Sequence, residues 1–403
     1  MLGAGPMSRV WRTWLVLILF AIGTSMVTPL IPIYQDRLGF SDTVVTLFLG
    51  CYVAALVPSM FSLGQISDRI GRKYVLLGAI ATLATAQVLL ITEPSLTGLL
   101  VARAIQGLAT GAFFGTCTAF LVDAAPEGKR SMVAGLGSTS VRLGLGLGPG
   151  IGGVLAQYAP HPLQLPFEVH LVALAVAAGM VIALPETITH RAWRPLTLSL
   201  GVPAAERAVF WRLLVPSAML FSLFDAVALS LIPVFIVRKL EVTNYAIVGA
   251  AGFLVLVSGA VSQLLLPRLP PRPAISWGLA IAAVASVGVV AGSPTNSVPL
   301  VLASVAVTGA ACGLIFKGGI DLCTQIAPPA DRGKLISSYY VACYLGGFSV
   351  PLILLGLLAD LVGLTQALAV LSVASALGGA WTASVGMRSL TGLEGASSAP
   401  FSE

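Results

Sequence analysis

Five ionisable side chains interrupt long apolar runs and carry the chemistry open to this chain: Arg103, Arg142, Asp225, Lys317 and Asp321. A charge surrounded by hydrocarbon is costly, so each must find a partner, line a water-filled space or surrender its charge. Asp225 has no opposite charge in its own run. Desolvation disfavours the ionised form of a carboxylate, which makes Asp225 the first candidate for a group that takes up and releases a proton. Asp321 follows Lys317 by four residues on one helix face, so it reads equally as a second proton group or as half of a structural ion pair. Arg142 reads as the counter-charge of Asp225 or as an anchor for a ligand. Arg103, with Gln106 three residues on, either faces a polar cavity or is satisfied by Gln106 and backbone carbonyls. Arg142, Gln106 and Lys317 are the candidate ligand contacts. Neither a HExxH helix, a paired-acid motif nor a nucleophile elbow is present, so an enzyme is not expected. The cysteines Cys51, Cys117, Cys312, Cys323 and Cys343 lie in apolar runs without metal-ligand spacing and read as packing residues. No metal and no bound cofactor is expected.

The elements that must position these groups are set by composition. Charged residues make up 9% of the 403 residues and hydrophobic ones 57%, whereas a soluble domain carries roughly a quarter charged residues. Apolar runs of about 20 residues, enough to cross a bilayer as a helix, recur along the chain. Breaks at charged or Pro/Gly-rich segments predict twelve spans: about 10 to 34, 44 to 63, 74 to 92, 96 to 122, 131 to 158, 167 to 184, 209 to 236, 245 to 266, 274 to 291, 298 to 326, 335 to 359 and 364 to 386. The first run is too long for the apolar core of a secretory signal and is expected to be a span. With the N-terminus inside the cell, sixteen of the 22 Lys and Arg residues fall on the cytoplasmic side, in clusters such as Arg69/Arg72/Lys73, Lys129/Arg130 and Arg191/Arg194. Only Arg37, Arg238 and Lys239 fall outside, as the positive-inside rule prefers. The net charge of +6 therefore marks topology, and nucleic acid is not an expected partner. Glu168, His170 and Asp360 fall near outer span ends and read as solvated.

The halves repeat. Pro29-Leu-Ile-Pro-Ile-Tyr34 returns as Ser230-Leu-Ile-Pro-Val-Phe235, an offset of 201 residues from 29 to 230, and Pro126-Glu-Gly-Lys-Arg130 is echoed by Pro329-Ala-Asp-Arg-Gly-Lys334. An all-α integral membrane fold of two pseudo-symmetric six-helix bundles follows, residues 1–184 and 209–387, with a cytoplasmic linker 185–208 and a disordered tail 388–403. Such repeats usually enclose a midplane site reached alternately from each side.

Three motifs carry a resemblance. Gly64-Gln-Ile-Ser-Asp68-Arg69-Ile-Gly71-Arg72-Lys73 joins the second and third spans, with glycines for a tight turn and one carboxylate among three cations. It closely resembles the cytoplasmic signature of the major facilitator superfamily. The resemblance implies a conformational latch in which Asp68 caps the helix starting near Lys334 and Arg72 reaches Asp123. The second-half counterpart, Pro267-Arg-Leu-Pro-Pro-Arg-Pro273, lacks the acid and the glycines, so a one-sided latch is expected. Arg103-Ala-Ile-Gln106-Gly107 is similar to the family's RxxQG element, associated with proton coupling. In the fifth span Gly135, Gly144, Gly148-Pro149 and Gly152-Gly153 follow G-x8-G-x3-GP-xx-GG. Small residues four apart let another helix approach one face, and Pro149 bends the rod. The pattern resembles the antiporter signature of the 12-helix drug:proton antiporters, and Leu184-Pro-Glu-Thr187 adds to the likeness.

The resemblance implies a proton-coupled antiporter that exports small organic molecules or drugs from the cell, working as a monomer in the cell membrane with both termini cytoplasmic. Its energy source is a proton gradient, and its partners are substrate, protons and lipid. An importer or uniporter of a small solute is the alternative, which the glycine pattern disfavours. The chain departs from the many family members that carry an acid in the first helix, having none before Asp36. That leaves Asp225 and Asp321, with Arg103 and Arg142, as the proton-coupling set. Three cations against two acids within the spans predict neutral or anionic substrates.

Overall fold

A computed structural model describes residues 6–92, 95–188, 200–329 and 331–390. The linker residues 189–199, with Arg191 and Arg194, and the tail from 391 lie outside them. Among the described residues the chain is all-helical. The first predicted span is α1 (Pro6–Ser25), a 3-10 turn over Thr28–Leu30 and α2 (Ile31–Leu38). Then come α3 (Asp42–Ile70), α4 (Arg72–Thr92), α5 (Leu96–Ala124), α6 (Arg130–Tyr158) and α7 (Leu165–Ala183). After the linker, α8 (Arg207–Val209) passes through a π turn into α9 (Val215–Lys239). The chain continues as α10 (Tyr245–Leu265), α11 (Pro271–Thr295), α12 (Val298–Ile326), α13 (Arg332–Gly347), α14 (Val350–Val362) and α15 (Leu364–Trp381). Helix extends to Leu390, so residues 388–390 do not belong to an irregular tail.

Local chemistry sets the boundaries. Ser95, Asn244 and Ser297 accept from Gly98, Ala246 and Leu300 N–H groups and begin α5, α10 and α12, as side chains that compete for backbone donors do at helix N-termini. Gly71 takes φ +110° between α3 and α4, a conformation that L side chains rarely adopt. The predicted eleventh span is two helices, broken at Phe348 and Ser349. Gly346 and Gly347 lie against Met219, Ser222 and Leu223 of α9, and Pro351 in the first turn of α14 cannot donate to α13.

Among the described residues, eleven helical segments are long and apolar enough to cross a membrane. Helix α6, at 29 residues, is about 44 Å long at 1.5 Å per residue, but glycine, serine, threonine and Arg142 dilute its apolar content. Helices α1 and α3–α7 pack on one another, as do α9–α15. Two seams join these groups, α6 against α10 and α3 against α14.

Both seams end part-way. Along α6 the contacts run from Tyr158, whose hydroxyl accepts from Asn244, through Gly153, Pro149 and Gly146 to Arg142 beside Gly259. Nearer Arg130, a Cβ on Gly135 would meet nothing within 4 Å. Along α3 they run from Asp42 through Thr46, packed on Gly356, to Gly50, packed on Ile353, while Gly64 touches nothing. The halves are joined on the face bearing Asp42, and the contacts of both seams stop short of the face bearing Asp68.

Candidate functional site

Where the α6 seam ends, Arg142 reaches across to α9. Its Nη2 lies 2.8 Å from both carboxylate oxygens of Asp225. The two side chains are 12% and 5% exposed, so the pair is nearly desolvated. Gly259 of α10 makes the crossing possible, because a Cβ there would stand 2.4 Å from Arg142 Nε. Cys312 of α12 stands beside Asp225, and its Sγ donates to the Phe221 carbonyl at 3.5 Å. Arg142 Nε is buried without a partner. Breaking such a pair leaves an uncompensated charge at a cost of about 3–5 kcal/mol, unless a proton or another ion takes the vacated place.

The other charged residues are placed apart from this pair. Arg103 is buried among α1, α3 and α5, donating to the Thr24 and Phe48 carbonyls at 2.8 and 3.3 Å and to Gln106 Oε1 at 2.8 Å, with its guanidinium 4.8 Å from the Tyr52 ring centre. Gln106 is wholly buried, so it does not line an open cavity as the sequence suggested. Lys317 donates to Asp321 at 2.6 Å and to the Leu269 carbonyl at 3.1 Å, with Asp321 about two and a half turns of α12 beyond Cys312. Gln106 is therefore withdrawn from the expected grouping with Arg142 and Lys317 around one ligand. Arg103, the unbalanced cation of the sequence count, is turned away, and that count does not bear on substrate charge.

On the Asp68 face, Arg72 Nη1 lies 2.6 Å from Asp123 at the end of α5. Asp68 is 65% exposed, 3.7 Å from Arg72, and does not cap α13, whose first turn follows Asp331. Asp331, not Asp68, occupies the N-cap position of α13. Arg69 ends α3 beside it. Glu186, in the Leu184-Pro-Glu-Thr187 segment, accepts from the Arg72 and Lys73 N–H groups at 3.2 and 3.0 Å, and Lys73 Nζ donates to the Ile182 and Leu184 carbonyls. That segment anchors the start of α4.

The opposite face carries residues that sequence reasoning took as solvated. Asp360, at the end of α14, accepts from the Asp42 N–H at 2.7 Å, the Thr43 N–H at 3.0 Å and Thr43 Oγ1 at 2.5 Å, so it caps the N-terminus of α3. Asp42 in turn accepts from Arg238 of α9 and from Gln35, each at 2.8 Å. His170 is buried, its ring nitrogens within 3.0 Å of Gln87 Nε2 and 2.9 Å of the Leu19 carbonyl. Polar residues at span ends share one pattern whether solvated or paired, so only the fold reveals these contacts.

The fifth-span glycines serve two neighbours. A Cβ at Gly144 or Gly148 would come within 2.7 and 2.2 Å of α1 atoms, one at Gly152 within 2.5 Å of the Met26 carbonyl just beyond α1, and one at Gly153 within 2.5 Å of the Tyr245 carbonyl on α10. The ring of Pro149 fills the space over Gly252, and Gly135 packs on nothing in this conformation.

Comparison with known proteins accords with this architecture. The family model described as Major Facilitator Superfamily matches residues 13–351. Among curated proteins, the inner membrane transport protein YajR of Escherichia coli is 27% identical over 46% of this chain and 40% of its own length. The quinolone resistance protein NorA of Staphylococcus aureus is 23% identical over 49% of this chain and 56% of its own. The multidrug resistance protein MdtG of Proteus mirabilis is 32% identical over 39% of this chain and 42% of its own. The chain thus spans about half the length of the curated relatives it matches. Among solved structures, a bacterial homolog of the human lysosomal transporter Spinster superposes with a TM-score of 0.75 at 16% identity, covering 96% of this chain and 99% of that one. A peptide transporter does so with 0.78 at 13% identity, covering 94% of each.

Proposed function

This chain belongs to the Major Facilitator Superfamily, and from that premise we propose that it is a proton-coupled antiporter exporting small organic molecules across the cytoplasmic membrane by alternating access. Helix α6 is the twelfth span beside the eleven more apolar segments, which puts both termini on one side. The basic bias makes that side cytoplasmic. The Asp42 face is then the outer face, and the present conformation opens inward. Residues 1–184 and 209–387 are the two rocking halves.

The Arg142–Asp225 pair carries the reading. It bridges the halves where their contact ends, and it is the place where a proton can be exchanged for a conformational change. In the inward-open state Asp225 has given its proton to the cytoplasm and is held, ionised, by Arg142. After the halves rock and cargo leaves, a proton from outside binds a carboxylate oxygen, cancels the charge and frees Arg142, and the halves return. Export, as opposed to import or uniport on the same fold, is supported by the glycine pattern along α6 and by relatives named for quinolone and multidrug resistance. No cofactor beyond the proton gradient is required, and a monomer contains every residue named.

Asp225→Asn fixes the neutral form. In proteoliposomes with an imposed pH gradient it should abolish uphill transport while substrate/substrate exchange persists. Accumulation with the wild-type pH dependence would place the proton carrier elsewhere, with Asp321 next to be tried.

A further inference from the structure

Resting on the export reading, we propose that the cargo is a planar aromatic molecule with an anionic group, its ring against an aromatic wall on α12 and α13 and its charge on the unpartnered edge of Arg142.

Helix α13 has three faces. Leu335, Tyr339, Cys343 and Gly347 are buried. Ser338, Ala342 and Leu345 line a lateral groove with Trp211 and Val215. The third face carries Tyr340, Tyr344 and Phe348 at intervals of four, all half-buried. Helix α13 touches α3 of the other half, and Tyr344 on this face lies within electrostatic reach of Tyr52 there. Ring contacts run unbroken along it: Phe221 to Phe316 at 5.7 Å, Phe316 to Tyr340 at 5.9 Å, Tyr340 to Tyr344 at 6.5 Å and Tyr344 to Phe348 at 6.4 Å. The hydroxyls of Tyr340 and Tyr344 have no hydrogen-bond partner among the described residues. Rings this far apart favour edge and offset contacts, and their open faces offer the same contacts to a flat guest.

The wall leads to the ion pair. Phe221 is one turn of α9 from Asp225, and Phe316 one turn of α12 from Cys312. At that end the polar groups favour an anion. Both Asp225 oxygens are held by Arg142 Nη2, whereas Arg142 Nε donates to nothing. A guanidinium presents five donors, so a second carboxylate or an acidic hydroxyl can be held without displacing the first. An aromatic wall can also attract a cation through its ring faces, and the test must separate the two.

Equilibrium binding to the purified full chain would be measured for 2-naphthoate, 2-naphthol, 2-naphthylmethylammonium and decalin-2-carboxylate. The last keeps the size and charge of naphthoate without its ring faces. Naphthoate should bind about tenfold more tightly than the ammonium, the effect of one charge-assisted hydrogen bond, and about three- to tenfold more tightly than the decalin acid. Tyr340→Leu, or Phe316→Leu should the first fail to fold, should weaken naphthoate several-fold and leave the decalin acid nearly unchanged. Arg142→Lys keeps the charge but loses the second donor edge, and should weaken naphthoate far more than 2-naphthol. Preference for the ammonium, equal loss of all four probes on each substitution, or no binding of naphthoate would overturn the assignment. Naphthoate binding with this pattern but without gradient-driven movement would support the cargo class and refute proton-coupled export. Gradient-driven movement of the ammonium with no naphthoate binding would do the reverse.

Discussion

Removing the Asp360 carboxylate should release the outer face. Asp360 accepts three hydrogen bonds at the start of α3 from the end of α14, at 2.5 to 3.0 Å, and so ties the halves together. A hydrogen bond to a charged group contributes about 1.5–3 kcal/mol when buried, and a carboxylate at a helix N-terminus about 0.3–1 kcal/mol more. The Thr43 contacts are solvent-exposed, which reduces each contribution to a fraction of that. A total of about 1–2 kcal/mol remains for Asp360→Ala, which moves the ratio of outer-closed to outer-open molecules by roughly 5- to 30-fold. Asp360→Asn keeps one acceptor and should move it less. Spin labels at the exposed positions Leu38 and Leu361, in a background lacking the native cysteines, would report the separation of α2 from α14 in lipid nanodiscs. The expected result is a new population at longer distance in Asp360→Ala, a smaller one in Asp360→Asn, and growth of the wild-type outer-open fraction with salt. An unchanged distance distribution in Asp360→Ala would show that the cap does not hold the face closed.

Gly148→Leu should abolish transport, since even a Cβ would stand 2.2 Å from the Ile22 carbonyl of α1; normal substrate exchange by the variant would show that α1 and α6 need not approach so closely. Asp68→Asn should slow exchange without changing substrate affinity, because Asp68 is exposed far from the Arg142–Asp225 pair, and an altered dissociation constant with normal turnover would refute this. Asp321→Asn should leave the pH dependence of transport as it is, since Asp321 is held by Lys317 at 2.6 Å and lies apart from the seams; a flattened pH profile would move proton coupling to α12.

The helices were legible because a bilayer imposes one length and one polarity on every span, and the glycine motifs because close helix contact leaves few residues to choose from. Pairings between distant spans were not. Arg142 could be named as a counter-charge for Asp225 or as a ligand anchor, but nothing in a single chain chooses between the two or says that α6 crosses α9 at that depth, and the glycine that permits it, Gly259, looks like any other in an apolar helix. Asp360 was misread for a different reason. Its partners are backbone N–H groups of α3, which every residue but proline possesses, so no pattern in side chains announces them. Arg103 takes the second of its two readings, satisfied by Gln106 Oε1 and the Thr24 and Phe48 carbonyls, whereas Gln106, expected at a ligand, is wholly buried beside it: a polar residue in a span signals a polar environment, and here the two side chains and those carbonyls supply it.

The seam between α6 and α10 has a mechanical consequence. Gly146, Pro149, Gly150 and Gly153 face Gly249, Gly252, Phe253 and Val257, so backbone slides close to backbone over much of its length. Interlocked side chains would have to unmesh and change rotamer for one helix to tilt on the other, and each such step would add a barrier. A surface toothed on one helix only, with Phe253 and Val257 of α10 set over glycines of α6, acts instead more as a plain bearing: it carries load while offering little resistance to rolling. On the proposed alternating-access reading, resistance to rocking would then fall on the contacts at the two ends of the molecule.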